Sequence, residues 1–208
     1  MTRPTAKEAI LDTAERLFAE QGMEAVSLRS INTEAGYSVA ALHYHFGSRE
    51  GLIGELLERR QDPILSRRQA LLDALEDQSK PEIREITEAL VLPLAEPIFS
   101  NPELGLRTIK FFFRTYVDQG SHERVKSITE ESYRIFDSLL ARTLPHISKP
   151  VLHQRWVIAT QVAFQGLANI DGILADPAAQ SLEKSYRHYV SQLIDFIAGG
   201  LVAAERRD

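Results

Sequence analysis

Ser27-Leu28-Arg29-Ser30-Ile31-Asn32-Thr33-Glu34-Ala35-Gly36-Tyr37-Ser38-Val39-Ala40-Ala41-Leu42-His43-Tyr44-His45-Phe46-Gly47-Ser48-Arg49 is the stretch around which the chain is organised. Ser27 is placed to cap a short helix, because its hydroxyl oxygen can accept from the open amides of a first turn. Behind it Leu28, Ile31 and Ala35 recur at helical spacing. Gly36 tolerates positive φ, so the helix can stop and the chain can turn. Ser38 caps a second short helix, on which Val39, Leu42 and Phe46 are expected to form the apolar stripe. Two short helices joined by a tight glycine turn make a helix-turn-helix, a shape suited to the DNA major groove.

The other face of the second helix carries the chemistry. Ala40 and Ala41 are small enough to let the helix start approach base edges and offer methyl groups to thymine. His43, Tyr44 and His45 can all hydrogen-bond bases or phosphates. No carboxylate occurs between Ala35 and Arg49 to repel a phosphate backbone. Ser48 caps the next helix, and Arg49 in its first turn is expected to hold a phosphate together with backbone amides. Ser38, Ala40, Ala41 and His43, helped by Arg29, are assigned to base edges; Tyr44, His45 and Arg49 are assigned to phosphates. His43-x-His45 does not read as a metal pair, since positions i and i+2 of a helix face nearly opposite ways.

The run from Ala35 to Leu52, with its Val26-Ser27-Leu28-Arg29 entry and the amphipathic helix before it, resembles the DNA-binding domain of the TetR family of bacterial transcriptional regulators. Turn glycine, spacing and the aromatic-histidine cluster agree together over about the first quarter of the chain. Val39 departs from the resemblance where the family often has a polar or basic residue, and His43 where it usually has tyrosine. No base preference carries over. The resemblance implies a homodimer made by the last two helices and a small ligand, apolar with a few polar anchors, in the larger C-terminal part. No metal and no cofactor are expected from the residues themselves.

Composition bounds the rest. The 208 residues suit one small helical domain and one larger one, and 44% apolar content can bury a real core. Cysteine is absent, which excludes disulfides, thiolate metal sites and a cysteine nucleophile. Without a long uncharged apolar run or an apolar leader, the expectation is a soluble cytoplasmic protein with no membrane partner. The net charge of −5 argues mildly against nucleic acid. Residues 1–60 carry seven Lys/Arg against nine Asp/Glu. Charge must therefore act by placement, and any DNA binding should be modest and salt-sensitive.

The predicted fold is all-α: a three-helix DNA-binding domain over 1–48 and a larger helical effector-binding and dimerisation domain over 49–208. A capping box, Thr5-x-x-Glu8, opens the first helix, which Gly22 ends. Pro63 predicts a kink or restart in the fourth helix, and Pro93 and Pro97 a kink or end in the fifth. Ser79-x-x-Glu82, with Pro81 at the first helical position, is expected to open that fifth helix. At about 100° per residue, Phe111, Phe112 and Phe113 cannot share one face, so their helix is buried on more than one side. Phe112, Phe113, Tyr116, Phe136, Trp156 and Phe164 are the candidate lining of an effector pocket for an acyl or aromatic molecule. Arg107, Arg114, His153, Gln161, Gln165 and Asn169 are its candidate anchors. Two long helices, about 149–174 and 177–203, carry a small-residue seam suited to packing across a twofold axis. That seam assigns Ala159, Ala163, Gly166, Ile170, Tyr189, Leu193 and Ile197 to the dimer interface.

Two other classes compete. An enzyme has little support, for the chain lacks a phosphate-cradling glycine motif and a clustered carboxylate–histidine pattern. A helical sensor or adaptor that does not bind DNA is the alternative suggested by the acidic balance.

Overall fold

The computed structural model describes residues 4–118, 122–174 and 182–205, with side chains described outside 116–132. Helices are the regular elements among the described residues. They are α1 (Ala6–Gln21), α2 (Leu28–Ala35), α3 (Val39–Phe46), α4 (Arg49–Glu76), α5 (Ile83–Ser100), α6 (Pro102–Asp118), α7 (His122–Thr143), α8 (Lys149–Ala168), α9 (Ile170–Ile173) and α10 (Leu182–Val202). The all-α architecture is as the periodicity predicts. None of the helices, among the described residues, is long and apolar enough to cross a membrane.

Packing divides the chain into two units, Met1–Pro63 with Arg107–Glu123, and Ile64–Leu106 with Arg124–Asp208. The dividing lines fall inside α4, α6 and α7, so packing follows a different line from the boundary expected between 48 and 49.

In the first unit, the Thr5 amide donates to Glu8 Oε2 at 2.8 Å and the Glu8 amide donates to Thr5 Oγ1 at 3.3 Å, which fixes the start of α1. The apolar stripe of α1, Ile10, Leu11, Ala14, Leu17 and Phe18, then packs with Ile31, Leu42, Phe46, Leu52, Leu56 and Phe111. Phe18 and Phe111 stack with ring centroids 6.2 Å apart. Each such large side chain contributes about 1.5–3 kcal/mol by leaving water, enough in sum to hold two eight-residue helices that would not persist alone.

In the second unit, α5 packs on α8 and α10, and α10 packs on α8. Ile86, Leu90, Leu94 and Ile98 of α5 are buried, as are Trp156, Ala163 and Leu167 of α8 and Val190, Ile194, Ile197 and Leu201 of α10. Arg155 donates to the Leu201 and Ala203 carbonyls at 2.9 and 2.6 Å, satisfying the C-terminal end of α10.

Several predicted boundaries move. Pro63 lies inside a continuous α4, and Pro93 and Pro97 inside a continuous α5. Proline removes one amide bond per site, and tertiary packing on both sides outweighs that loss. The fifth helix opens at Ile83, not at Pro81: the Glu82 amide donates to Glu85 Oε2 at 2.9 Å, and this later capping contact wins. The eighth helix stops at Ala168, where Asn169 turns the chain before the single turn of α9.

Candidate nucleic-acid interface

The Ser30 amide donates to Ser27 Oγ at 3.0 Å and the Ser27 amide to Ser30 Oγ at 3.1 Å, a reciprocal cap on α2. Gly36 ends that helix at φ 75°, ψ 24°, a left-handed conformation that a side chain would strain. The Ala41 amide then donates to Ser38 Oγ at 3.2 Å, so α3 begins two residues after the turn. Leu42 and Phe46, 0% and 7% exposed, hold α3 on the core. At Gly51 any side chain would collide with the Phe46 carbonyl oxygen, so the bare backbone lets the start of α4 close against the end of α3.

Anchored in this way, α3 turns its other side outward. Arg29, Ser38, Ala40, His43 and Tyr44 are exposed, and Ala41 and His45 half-buried. Tyr44 is 86% exposed. Val39 is also exposed, at 47%, which corrects its expected place on the buried stripe. It stands in the first turn, beyond the core residues that cover Leu42 and Phe46, so an apolar surface is presented beside Ala40. The residue's position at the helix start was the available signal.

His43 Nδ1 lies 2.9 Å from the Gly47 carbonyl oxygen. A carbonyl only accepts, so Nδ1 carries a proton in this contact, which leaves Nε2 as the ring nitrogen of an exposed side chain open to a partner. His45 meets Tyr44 edge-on at 5.2 Å. Glu34 on α2 is paired with Arg16 of α1, which also holds Glu20 at 3.0 Å, so its charge is partly neutralised within the protein.

Arg49 corrects its sequence assignment. Its guanidinium turns inward, donating to the Met23 and Val26 carbonyls, and its Cζ lies 5.1 Å over the Phe18 ring. The planar fork of arginine matches the two carbonyls left open between α1 and α2. Arg49 therefore ties the start of α4 to the segment between α1 and α2, and its guanidinium is committed there rather than free for the phosphate role expected of it.

The aromatic set is distributed differently from the predicted lining. Phe112 packs against the core of the first unit, 5.8 Å from the Phe111 ring, and Phe113 belongs to that unit as well. Phe136 and Trp156 stack on each other in the second unit with centroids 4.3 Å apart, each 2% exposed. Phe164 is half-buried on α8, and the side chain of Tyr116 lies outside the described residues. Phe112 thus packs within the first unit, and Phe136 with Trp156 within the second. Of the proposed anchors, Arg107 is half-buried, while Arg114, His153, Gln161, Gln165 and Asn169 are exposed. The buried cation of the second unit is instead Arg68, 7% exposed. Its signal was readable: Ile64, Arg68, Leu72 and Leu75 fall on one helical stripe.

The small-residue seam works within one chain. Ala159, Ala163, Ile170, Leu193 and Ile197 are 4%, 0%, 0%, 7% and 3% exposed in a single protomer. At Gly166 an added Cβ would meet Leu193 side-chain carbons at 3.1 and 3.2 Å, and Tyr189 Oη donates to the Gly166 carbonyl at 3.2 Å. These residues bring α10 close to α8; Ala159, Gly166, Tyr189, Leu193 and Ile197 also line the shallow outward grooves, whereas Ala163 and Ile170 are fully buried in the protomer. Periodicity shows that a seam exists but not whose helix fills it. The outward side carries Ile158 at 58% and Phe196 at 71% exposure, with Val162, Gln165 and Gln192 beside them along shallow grooves. Among the described residues, no group of His, Cys, Asp and Glu is arranged to hold a metal ion.

Comparison with known proteins agrees with this geometry. Residues 10–56 match the model of bacterial regulatory proteins of the tetR family, and residues 88–200 match the tetracyclin repressor-like C-terminal domain. The HTH-type transcriptional repressor KstR2 of Rhodococcus jostii (strain RHA1) is 33% identical over 90 residues, 43% of this chain and 41% of that protein. The chain thus spans less than half the length of this curated relative. The HTH-type transcriptional regulator AcrR of Shigella flexneri is 26% identical over 221 residues, covering 94% of this chain and 93% of its own. Two solved structures share the fold. The ketosteroid transcriptional regulator KstR2 of Mycobacterium tuberculosis has a TM-score of 0.60 at 16% identity, covering 94% of this chain and 96% of that one. A TetR-like transcriptional regulator from Rhodococcus sp. RHA1 has a TM-score of 0.59 at 15% identity, covering 93% and 96%. These relatives are regulators by name, not enzymes. With both its N-terminal and its C-terminal parts matched, the chain belongs to the TetR family of bacterial transcriptional regulators.

Proposed function

We propose that this protein is a cytoplasmic homodimeric repressor that binds a pseudo-palindromic duplex operator and leaves it when a small, largely apolar effector binds the C-terminal domain. The observation that carries the reading is the outward face of α3, capped by Ser38, free of carboxylates and fixed to a rigid core by Leu42 and Phe46. Ser38, Val39, Ala40, Ala41 and His43 meet base edges, with Arg29 beside them on α2. The open His43 Nε2, as an acceptor, suits an exocyclic amine of adenine or cytosine. Tyr44 and His45 hold phosphates and set register. Two copies, paired through the outward faces of α8 and α10, place their α3 helices in successive major grooves about 34–36 Å apart. The relatives named as repressors support the sign of regulation.

The effector acts by its differential affinity for two states of the dimer, transmitted along α4, which is shared by both packing units. Selection from a random duplex library tests the DNA half of this reading. Enrichment of an inverted repeat whose binding weakens steeply with salt is expected. Recovery of no common sequence, or of an unrepeated one, would sink it.

A further inference from the structure

Arg68 is buried in the second unit with unusually little to hold it. Its Nη2 donates to the Leu90 carbonyl at a long 3.3 Å, and its Nε has no hydrogen-bond partner. Among the described residues no carboxylate forms an ion pair with it, and Glu96 of α5 is taken by the neighbouring Arg67 at 2.9 Å. One turn to either side stand Ile64 and Leu72, 6% and 0% exposed, so the guanidinium interrupts an apolar stripe. Burial lowers the Arg68 pKa to about 10, with Tyr133 opposing the shift, so the side chain is still a full cation at neutral pH. A buried charge without a counter-charge is among the least favourable arrangements in a protein interior. A second buried donor of the same unit, the Trp156 indole Nε1, also has no acceptor.

We infer that Arg68 is the recognition cation for an effector that carries a carboxylate on an apolar body. The inference rests on the effector reading above and adds the class of molecule to it. A carboxylate supplies acceptors only, and its two oxygens match the guanidinium fork that Nε and Nη2 present. The apolar body follows from the buried side chains near it in sequence and packing: Ile64 and Leu72 stand one turn away on α4, and Leu90 of α5 carries the carbonyl that Nη2 meets. An uncharged analogue would leave the cation uncompensated, so the carboxylate is the discriminating group rather than an accessory.

The test uses the full-length protein and measures melting temperature and binding with dodecanoate and 1-naphthylacetate, each beside its primary amide, and with inorganic phosphate. The acids are expected to raise the melting temperature of the wild type while the amides and phosphate do not, because a ligand bound only by the native state stabilises it. Arg68→Met is expected to weaken acid binding by about tenfold or more without lowering the melting temperature of the free protein. Equal binding of acid and amide would overturn the carboxylate assignment and leave the effector reading standing. Phosphate acting as well as the acids, or Arg68→Met binding them as the wild type does, would also overturn it. If neither acids nor amides bind, both readings fall. Should Arg68→Met fail to fold, the wild-type comparison of acid with amide decides alone.

Discussion

Arg60 grips Glu15 with two arms: Nε lies 2.9 Å from Oε1 and Nη2 lies 2.7 Å from Oε2, joining α4 to α1. Glu15 is fully buried and also accepts from the Thr108 hydroxyl of α6 at 2.9 Å. Three helices of the first unit, α1, α4 and α6, therefore converge on one carboxylate.

Removing one side of this pair leaves a charge without its partner. Glu15→Ala is expected to destabilise the protein by about 3–5 kcal/mol, whereas Glu15→Leu with Arg60→Met should recover much of that loss, since a packed apolar pair is often as good as a buried ion pair. Chemical denaturation measures both. An unchanged midpoint in Glu15→Ala would show that the pair carries no net stability.

Arg49 separates a structural from a phosphate-binding role. Because its guanidinium is committed to the Met23 and Val26 carbonyls, Arg49→Ala is expected to lower stability by about 1–3 kcal/mol. The slope of log affinity against log salt should stay at its wild-type value. A fall in that slope of about 0.9 would return Arg49 to the phosphate backbone.

On the outward face, His43 and Tyr44 should fail differently. His43→Ala is expected to redistribute base preference at one position of each half-site, by about 1–3 kcal/mol of discrimination. Tyr44→Ala should weaken all duplexes alike. Competition binding against single-base variants of the selected operator distinguishes them, and equal changes in preference from both would refute the division of roles.

Phe196 and Gly166 both line the outward groove of the second unit, one as an exposed side chain and the other where Leu193 and Tyr189 close in. Phe196→Asp is expected to yield folded monomers by light scattering, because the side chain is 71% exposed in one protomer. Gly166→Leu should instead lower stability of the protomer by about 1–3 kcal/mol through overpacking against Leu193 and Tyr189. Dimers that persist in Phe196→Asp would place the contact elsewhere.

The helix-turn-helix was legible because its determinants are local. Ser27, Gly36 and Ser38 act within four residues of themselves, through caps and one positive φ, and no distant residue can replace them. Local too is the absence of carboxylates between Ala35 and Arg49. The prolines left the outcome open for the opposite reason. Pro63, Pro93 and Pro97 each weaken a helix by one bond, but whether the helix breaks depends on what packs around it.

The sequence alone determined the all-α class and the helix-turn-helix, since caps, turn glycines and periodicity are properties of neighbours along the chain. Tertiary structure decided that Arg49 turns inward, that α10 of the same chain packs along the Ala159–Ala163–Gly166 seam, and that Arg68 is buried with no carboxylate paired to it among the described residues. Periodicity marks a face as apolar or charged, but the identity of what meets that face is set by contacts between residues far apart in sequence. Those contacts exist only once the chain has folded.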